Sequence, residues 1–177
     1  MASTSISVAT GLKFPDALSA SPAAAKNKAP VLLVNGAATA LSTDEKALLT
    51  ARGVTTATVF GGEDTVSASL AADIKATTGA LDRVDGADRF VVSANTTAAN
   101  YTAPVDTIYF ATGADYPDAL AGGVIAGVNG SPILLVRKNC VVPEVAAQVQ
   151  RLTPKHIVLL GGSNSLDANL ENLPICS

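Results

Sequence analysis

The chain has no tryptophan, one histidine, two cysteines and 4% aromatic residues, and only 15% of its 177 residues are charged. Each scarcity removes a class of function. So few aromatics make stacking on bases or sugar rings a minor theme. A net charge of −3, from 12 Lys and Arg against 15 Asp and Glu, offers no basic face for nucleic acid, whose binders concentrate Lys and Arg. No apolar run reaches the roughly 18 residues that a membrane-spanning helix needs. The G-x-S-x-G elbow, H-E-x-x-H, G-x-x-x-x-G-K-[ST] and C-x-x-C are all missing. The single histidine, His156, opens a predicted strand with no second ligand type nearby in sequence, so no metal and no cofactor are implied. What remains is a chain that is 48% hydrophobic and long enough to bury a core.

What the chain does have is a repeat. "ATGLKFPDAL", Ala9 to Leu18, returns as "ATGADYPDAL", Ala111 to Leu120. "APVLLV", Ala29 to Val34, returns as "SPILLV", Ser131 to Val136, at the same spacing, and "FGG" at Phe60 to Gly62 returns two residues sooner as "LGG" at Leu160 to Gly162. Two tandem copies of one module are therefore expected, with the first over residues 1–79 and the second over 80–177.

Each copy alternates strands and helices. Ser5 to Ala9 reads as a strand. Pro15 then suits a first helical turn, where its missing N–H costs nothing, and Asp16 complements the positive helix end. That helix runs to Ala25 with a predicted interruption at Pro22. Val31 to Val34 is apolar throughout, as in a strand covered on both faces. Ser42 and Glu45 form a capping box for a helix ending at Gly53, Thr56 to Phe60 is a third strand, and Ser67 caps a helix through Ala76. The second copy repeats the order with Thr107 to Ala111, Pro117 to Val128, Ile133 to Val136, Pro143 to Arg151, Ile157 to Leu160 and Ser165 to Leu173. Short connections between alternating elements predict parallel sheets. The fold class expected is α/β, two tandem three-layer units of Rossmann/flavodoxin-like or Toprim-like type.

Between the copies lies "RVDGADRFVVSANTTAANY", Arg83 to Tyr101, with no counterpart before Ser5. The first copy therefore lacks a front segment, or this stretch is its tail. Asp85 and Gly86 predict a turn there, and Asp88 a helix cap just before Arg89. The start, "MASTSISVAT", has neither the charged head nor the apolar centre of an export signal. It runs directly into a strand, as expected of a piece cut from a longer chain.

The candidate chemistry is sparse. Asp16 and Asp118 stand at equivalent helix starts and are the best acid/base candidates, but a paired-carboxylate enzyme needs both on one site. Each can instead satisfy the amides of its own helix. Gly61 with Gly62, and Gly161 with Gly162, can cradle an anion through backbone N–H groups or simply make a tight strand-to-helix turn. Gly11, Gly113, Pro15 and Pro117 belong to the repeated phrase as its structural frame. Arg83 and Arg89 flank a glycine turn beside Asp82, Asp85 and Asp88. They can grip carboxylate or phosphate through paired hydrogen bonds, or pin one module to the next. Cys140 follows a strand and Cys176 is the second-last residue. A disulfide between them would tie down the C-terminus and favour an oxidising exterior, whereas two free thiols would suit a cytosolic protein.

The ordered set of "RVDGADRF", the two "ATG…PDAL" phrases, "APVLLV" with "SPILLV", and "VFGG" with "LLGG" resembles the cell-wall-binding repeat type 2 family of Gram-positive surface proteins, over nearly the whole chain. The resemblance implies a secreted, wall-located, non-enzymatic module that attaches an exported protein non-covalently to an anionic wall polymer, teichoic-acid-like or a secondary wall polysaccharide. Arg83, Asp88, Arg89, Asp16 and Asp118 are then its candidate ligand-binding residues. It also implies three modules in a three-fold bundle, where this chain holds two and the first lacks its Arg-x-x-Gly-x-Asp-Arg segment, so further copies of the module are expected as partners. The competing expectations are a small α/β hydrolase or phosphate-ester enzyme working through Asp16 and Asp118, and a structural spacer whose modules bind only one another.

Overall fold

A computed structural model describes residues 3–176. The first unit comprises β1 (Ser5–Thr10), α1 (Pro15–Lys26), β2 (Val31–Val34), α2 (Thr43–Ala51), β3 (Thr56–Phe60), α3 (Ala68–Thr78) and β4 (Ala80–Val84). Then follow α4 (Arg89–Asn100), β5 (Thr107–Thr112), α5 (Pro117–Val128), β6 (Ile133–Val136), α6 (Pro143–Leu152), β7 (His156–Leu160) and a 3₁₀ turn, Ala168–Asn172. All pairing within the sheets is parallel, in the orders β2-β1-β3-β4 and β6-β5-β7. Both sheets thus share the 2-1-3 order of flavodoxin-like folds, which places a topological switch point beside the first strand of each unit.

Strand alternation sorts the side chains into layers. In the first unit Ile6, Val8, Val59 and Val34 meet Leu49, Leu70 and Ile74 of α2 and α3. In the second, Ile108, Phe110, Leu134 and Val136 face Val145, Val149 and Leu152 of α6. The opposite face of that second sheet, with Tyr109, Ala111, Ile133 and Leu135, is covered by Ala119 and Ala126 of α5 and also by Leu18 of α1. Helix α1 therefore serves two sheets and joins the units.

Small residues allow this joint. A methyl group on Gly127 would come 2.9 Å from the Ala25 Cβ, so α5 and α1 approach almost backbone to backbone. The Phe14 and Tyr116 rings, equivalent residues of the two repeated phrases, touch with centroids 5.6 Å apart. At the far end Asn27 Nδ2 donates to Asn100 Oδ1 at 2.7 Å, and the Lys26 ammonium lies 4.4 Å above the Tyr101 ring. Helix α4 covers the edge of the second sheet: the outward Leu135 N–H donates to the buried Ser93 Oγ at 3.0 Å.

Four expectations need correction. Helix α1 runs through Pro22 without a break. Proline removes one ladder bond there, but Pro22 and Ala23 are buried and tertiary packing outweighs the propensity. The helix expected from Ser165 to Leu173 is only the 3₁₀ turn. The Asp167 N–H donates to Lys138 O instead of entering a helical ladder, and Pro174 ends the segment. Val31–Val34, expected to be covered on both faces, leaves Leu33 exposed. Ala80–Val84, for which no element was expected, is a strand of the first sheet, with Thr58 opposite Asp82 and Phe60 opposite Val84. Its Asp and Arg mask a strand pattern that an exposed edge tolerates.

Cys140 and Cys176 are disulfide-bonded. Beside the bond, Val141 N–H donates to Pro174 O at 2.8 Å and Cys176 N–H to Val141 O at 2.9 Å, so the C-terminal segment is laced to the loop after β6.

Candidate functional site: two clefts at the strand ends

The repeated phrases and the glycine pairs meet at the C-terminal strand edges. Gly61 and Gly161 have φ of +102° and +122°, a region costly for any residue with a Cβ. The room a Cβ would take at Gly61 is filled by the Asp16 carboxylate and the Thr65 hydroxyl; at Gly161 the Asp118 carboxylate fills it. Ser165 Oγ donates to Asp118 Oδ2 at 3.1 Å, while Thr65 Oγ1 donates to Gly62 O at 2.9 Å. The "PDAL" aspartate and the "GG" turn are therefore two halves of one interlock, built twice. Pro15 and Pro117 start the helices that carry these aspartates.

Burial raises the pKa of Asp16 above its ordinary value, against the lowering effects of Thr65, Arg89 and Lys13. Asp16 lines the first cleft, about 380 Å³, with Lys13, Asp64, Gly86, Asp88 and Arg89. Asp118 does not line that cleft. It is bonded to Ser165 on the wall of a second cleft, about 550 Å³, formed by the equivalent loops of the second unit. The two carboxylates that an enzyme reading pairs are thus set apart, one per unit.

The arginines of "RVDGADRF" hold backbone. Arg83 donates from Nη1 to Gly61 O at 2.7 Å and from Nη2 to Val66 O at 3.0 Å, which clamps β4 to the turn after β3. Arg89 Nη1 donates to Gly113 O, across to the second unit's repeated phrase. Neither pairs with Asp82, Asp85 or Asp88, since the salt bridges among the described residues are Lys46–Asp73 and Lys155–Asp106. Asp88 caps α4 as expected, accepting from Phe90 N and Val91 N at 2.9 Å each. Gly86 and Gly113 are small for a shared reason. A Cβ on Gly86 would strike Val91 and Val92 in the first turn of α4, and one on Gly113 would strike Phe90 and Arg89. At Gly11 the same test finds only ordinary contacts, with Leu33 and Val34. A Cβ on Gly62 or Gly162 would meet nothing.

Two further cations line the second cleft with Arg89: Arg137 and Lys138, just after β6. Identity between the copies does not single them out. Their signal is a difference, since the matching positions after β2 are Asn35 and Gly36.

Paired parallel α/β units, with interlocked turns and open clefts at the strand ends, define a tandem-repeat α/β module. Residues 1–71 and 83–171 match the family described as Cell wall binding domain 2 (CWB2), and the chain belongs to that family. It is a cell-wall-binding module. It is 28% identical over 128 residues to the N-acetylmuramoyl-L-alanine amidase LytC of Bacillus subtilis (strain 168), which covers 72% of this chain and 24% of that protein. It is 30% identical over 159 residues to the Amidase enhancer of the same organism, covering 90% of this chain and 21% of the relative. Among solved structures, Cwp6 from Clostridium difficile superposes with a TM-score of 0.84 at 26% identity, over 93% of this chain and 26% of Cwp6. Cwp8 from the same organism shares the fold, with a TM-score of 0.77 at 21% identity over 96% of this chain and 28% of Cwp8. The chain spans about a quarter of the length of these relatives.

Proposed function

We propose that the chain is a non-catalytic anchor that attaches a larger exported protein, without a covalent bond, to an anionic polymer of the cell wall. The observation that carries this reading is the double interlock. Each candidate catalytic carboxylate fills the hollow of its own glycine turn, one per unit, so neither is free to converge on a bond with the other. The relatives named for amidase activity and amidase enhancement contain a stretch like this chain as a minor part, which leaves room for that work elsewhere in them. A hydrolase acting through Asp16 and Asp118 finds no comparable support. The test is pelleting of the purified chain with Gram-positive walls while soluble wall fragments are assayed. Binding without release supports the anchor, and release of fragments that stops in Asp16→Asn or Asp118→Asn overturns it.

A second element of the reading concerns partners. In the repeat Leu18 corresponds to Leu120 and Ala23 to Ile125. Leu18 and Ala23 are buried against the second unit, whereas Leu120, Val124, Ile125 and Val128 of α5 are exposed, Val128 by 82%. The receiving surface shows the mirror imbalance: Leu135 is buried under α1 and α4, and its counterpart Leu33 is 56% exposed. One chain thus carries an unused donor helix and an unused acceptor strand of the same head-to-tail joint. Such a joint continues until it closes or runs out of units. The occupant we assign to the α5 face is a further unit of the same kind, from the same polypeptide or from another copy. We also place the boundary between units after Val84, where β4 ends, with the module at the outer face of the cell.

A further inference from the structure

The two clefts share the loops of the repeated phrase and the glycine turn, but only the second is also lined by the loop after β6, and they differ in charge. The first is lined by Lys13 and Arg89 against Asp16, Asp64 and Asp88. The second is lined by Arg89, Arg137 and Lys138 against Asp115 alone. Charge therefore favours an anion in the second cleft over the first.

The second cleft's cations are also free to act. Among the described residues neither the Arg137 guanidinium nor the Lys138 ammonium has a carboxylate or hydrogen-bond acceptor. The Arg137 guanidinium lies over the Phe90 ring, 5.5 Å from its centroid, which orients the group without using its N–H donors. Their loop is held from three sides. Arg137 N–H donates to Cys140 O at 3.1 Å, Asp167 N–H donates to Lys138 O at 2.8 Å, and Cys140 is bonded to Cys176. Asn164 and Ser165 add neutral polar groups to the wall. Asp115 accepts from the Tyr116 N–H at 2.8 Å. The first unit's loop has Asn35 and Gly36 at these positions and no cysteine.

We propose that the second cleft alone is the anion-binding subsite, with Arg137 and Lys138 contacting phosphate or carboxylate groups of the polymer and Arg89 at its rim. The first unit then serves as packing partner through α1 rather than as a second copy of the site. This rests on the wall-polymer reading above and gives it a location.

The test uses end-labelled oligo(glycerol phosphate), oligogalacturonate and neutral dextran oligomers, with binding to the intact chain followed by fluorescence polarisation. Wild type binds at least one anionic oligomer and ignores dextran, and the preferred oligomer identifies phosphate or carboxylate as the group recognised. Arg137→Gln with Lys138→Gln weakens that binding by about tenfold or more, the scale of one lost charge-assisted hydrogen bond. Lys28→Gln with Lys75→Gln removes the same charge elsewhere and leaves binding unchanged. Circular dichroism and urea unfolding confirm that each variant is folded. An equal loss in both double variants, or none in the first, overturns the site. A wild-type chain that pellets with walls yet ignores both anionic oligomers also overturns it while leaving the anchor reading intact. Oligomer binding without pelleting supports the site and counts against the anchor.

Discussion

Replacing Gly161 by alanine tests the interlock where its cost can be worked out. At φ +122°, outside the left-handed helical well, a Cβ strains the backbone by about 1–3 kcal/mol. The same Cβ must also displace the Asp118 carboxylate, and overpacking of this kind adds about 1–3 kcal/mol. The expected loss is therefore about 2–6 kcal/mol. Gly53→Ala is the control: φ is +63° and a Cβ would meet nothing within 4 Å, so only the backbone share of about 1–2 kcal/mol applies. Urea unfolding followed by circular dichroism reads both. Asp118→Ala alone loses the Ser165 hydrogen bond, worth about 1 kcal/mol. Combined with Gly161→Ala it removes the overlap, so the double variant should be more stable than the sum of the single losses implies, by about 1–3 kcal/mol. If Gly161→Ala costs no more than Gly53→Ala, or the two changes simply add, the interlock is wrong.

Three other outcomes follow from the same structure. Cys140→Ser with Cys176→Ser opens a 36-residue separation and should cost about 3–4 kcal/mol in denaturant unfolding by the chain-entropy estimate; an unchanged midpoint would deny the bond a stabilising role. Because burial raises the Asp16 pKa, the folded state holds that proton more tightly than the unfolded state does. The stability from this group is present below the ordinary value of 3.8 and lost as pH rises through the folded value. Asp16→Asn should therefore gain melting temperature relative to wild type as pH rises from there towards neutrality, and parallel curves would contradict the assignment. Val124→Glu with Ile125→Glu should lower concentration-dependent association in sedimentation velocity, since burying each such side chain is worth about 1.5–3 kcal/mol. A wild type that stays monomeric at all concentrations would contradict self-association through α5.

Local rules carried much of the fold. Pro15 and Pro117 begin their helices, Ser42 with Glu45 forms the capping box, Asp88 caps α4, and the apolar runs at Val31–Val34 and Ile133–Val136 are strands. What escaped depends on tertiary neighbours. β4 is an edge strand whose Asp82 and Arg83 look like loop until Arg83 is seen clamping Gly61 O and Val66 O. The pairing of the "PDAL" aspartate with the "GG" turn joins residues some 45 positions apart through backbone conformation, which no local pattern encodes. Identity between the copies pointed to structure, because both units need the same turn. The charges that separate the two clefts lie where the copies differ, at Asn35 and Gly36 against Arg137 and Lys138, and at Asp64 against Asn164.

The anchor reading stands or falls on what the walls must contain. Purified walls, half of them extracted to remove anionic polymer and leave peptidoglycan, can be pelleted with the intact chain over a range of salt. The account predicts binding to untreated walls that weakens as salt screens the charges, and no binding after extraction. Undiminished binding to the extracted walls would contradict it.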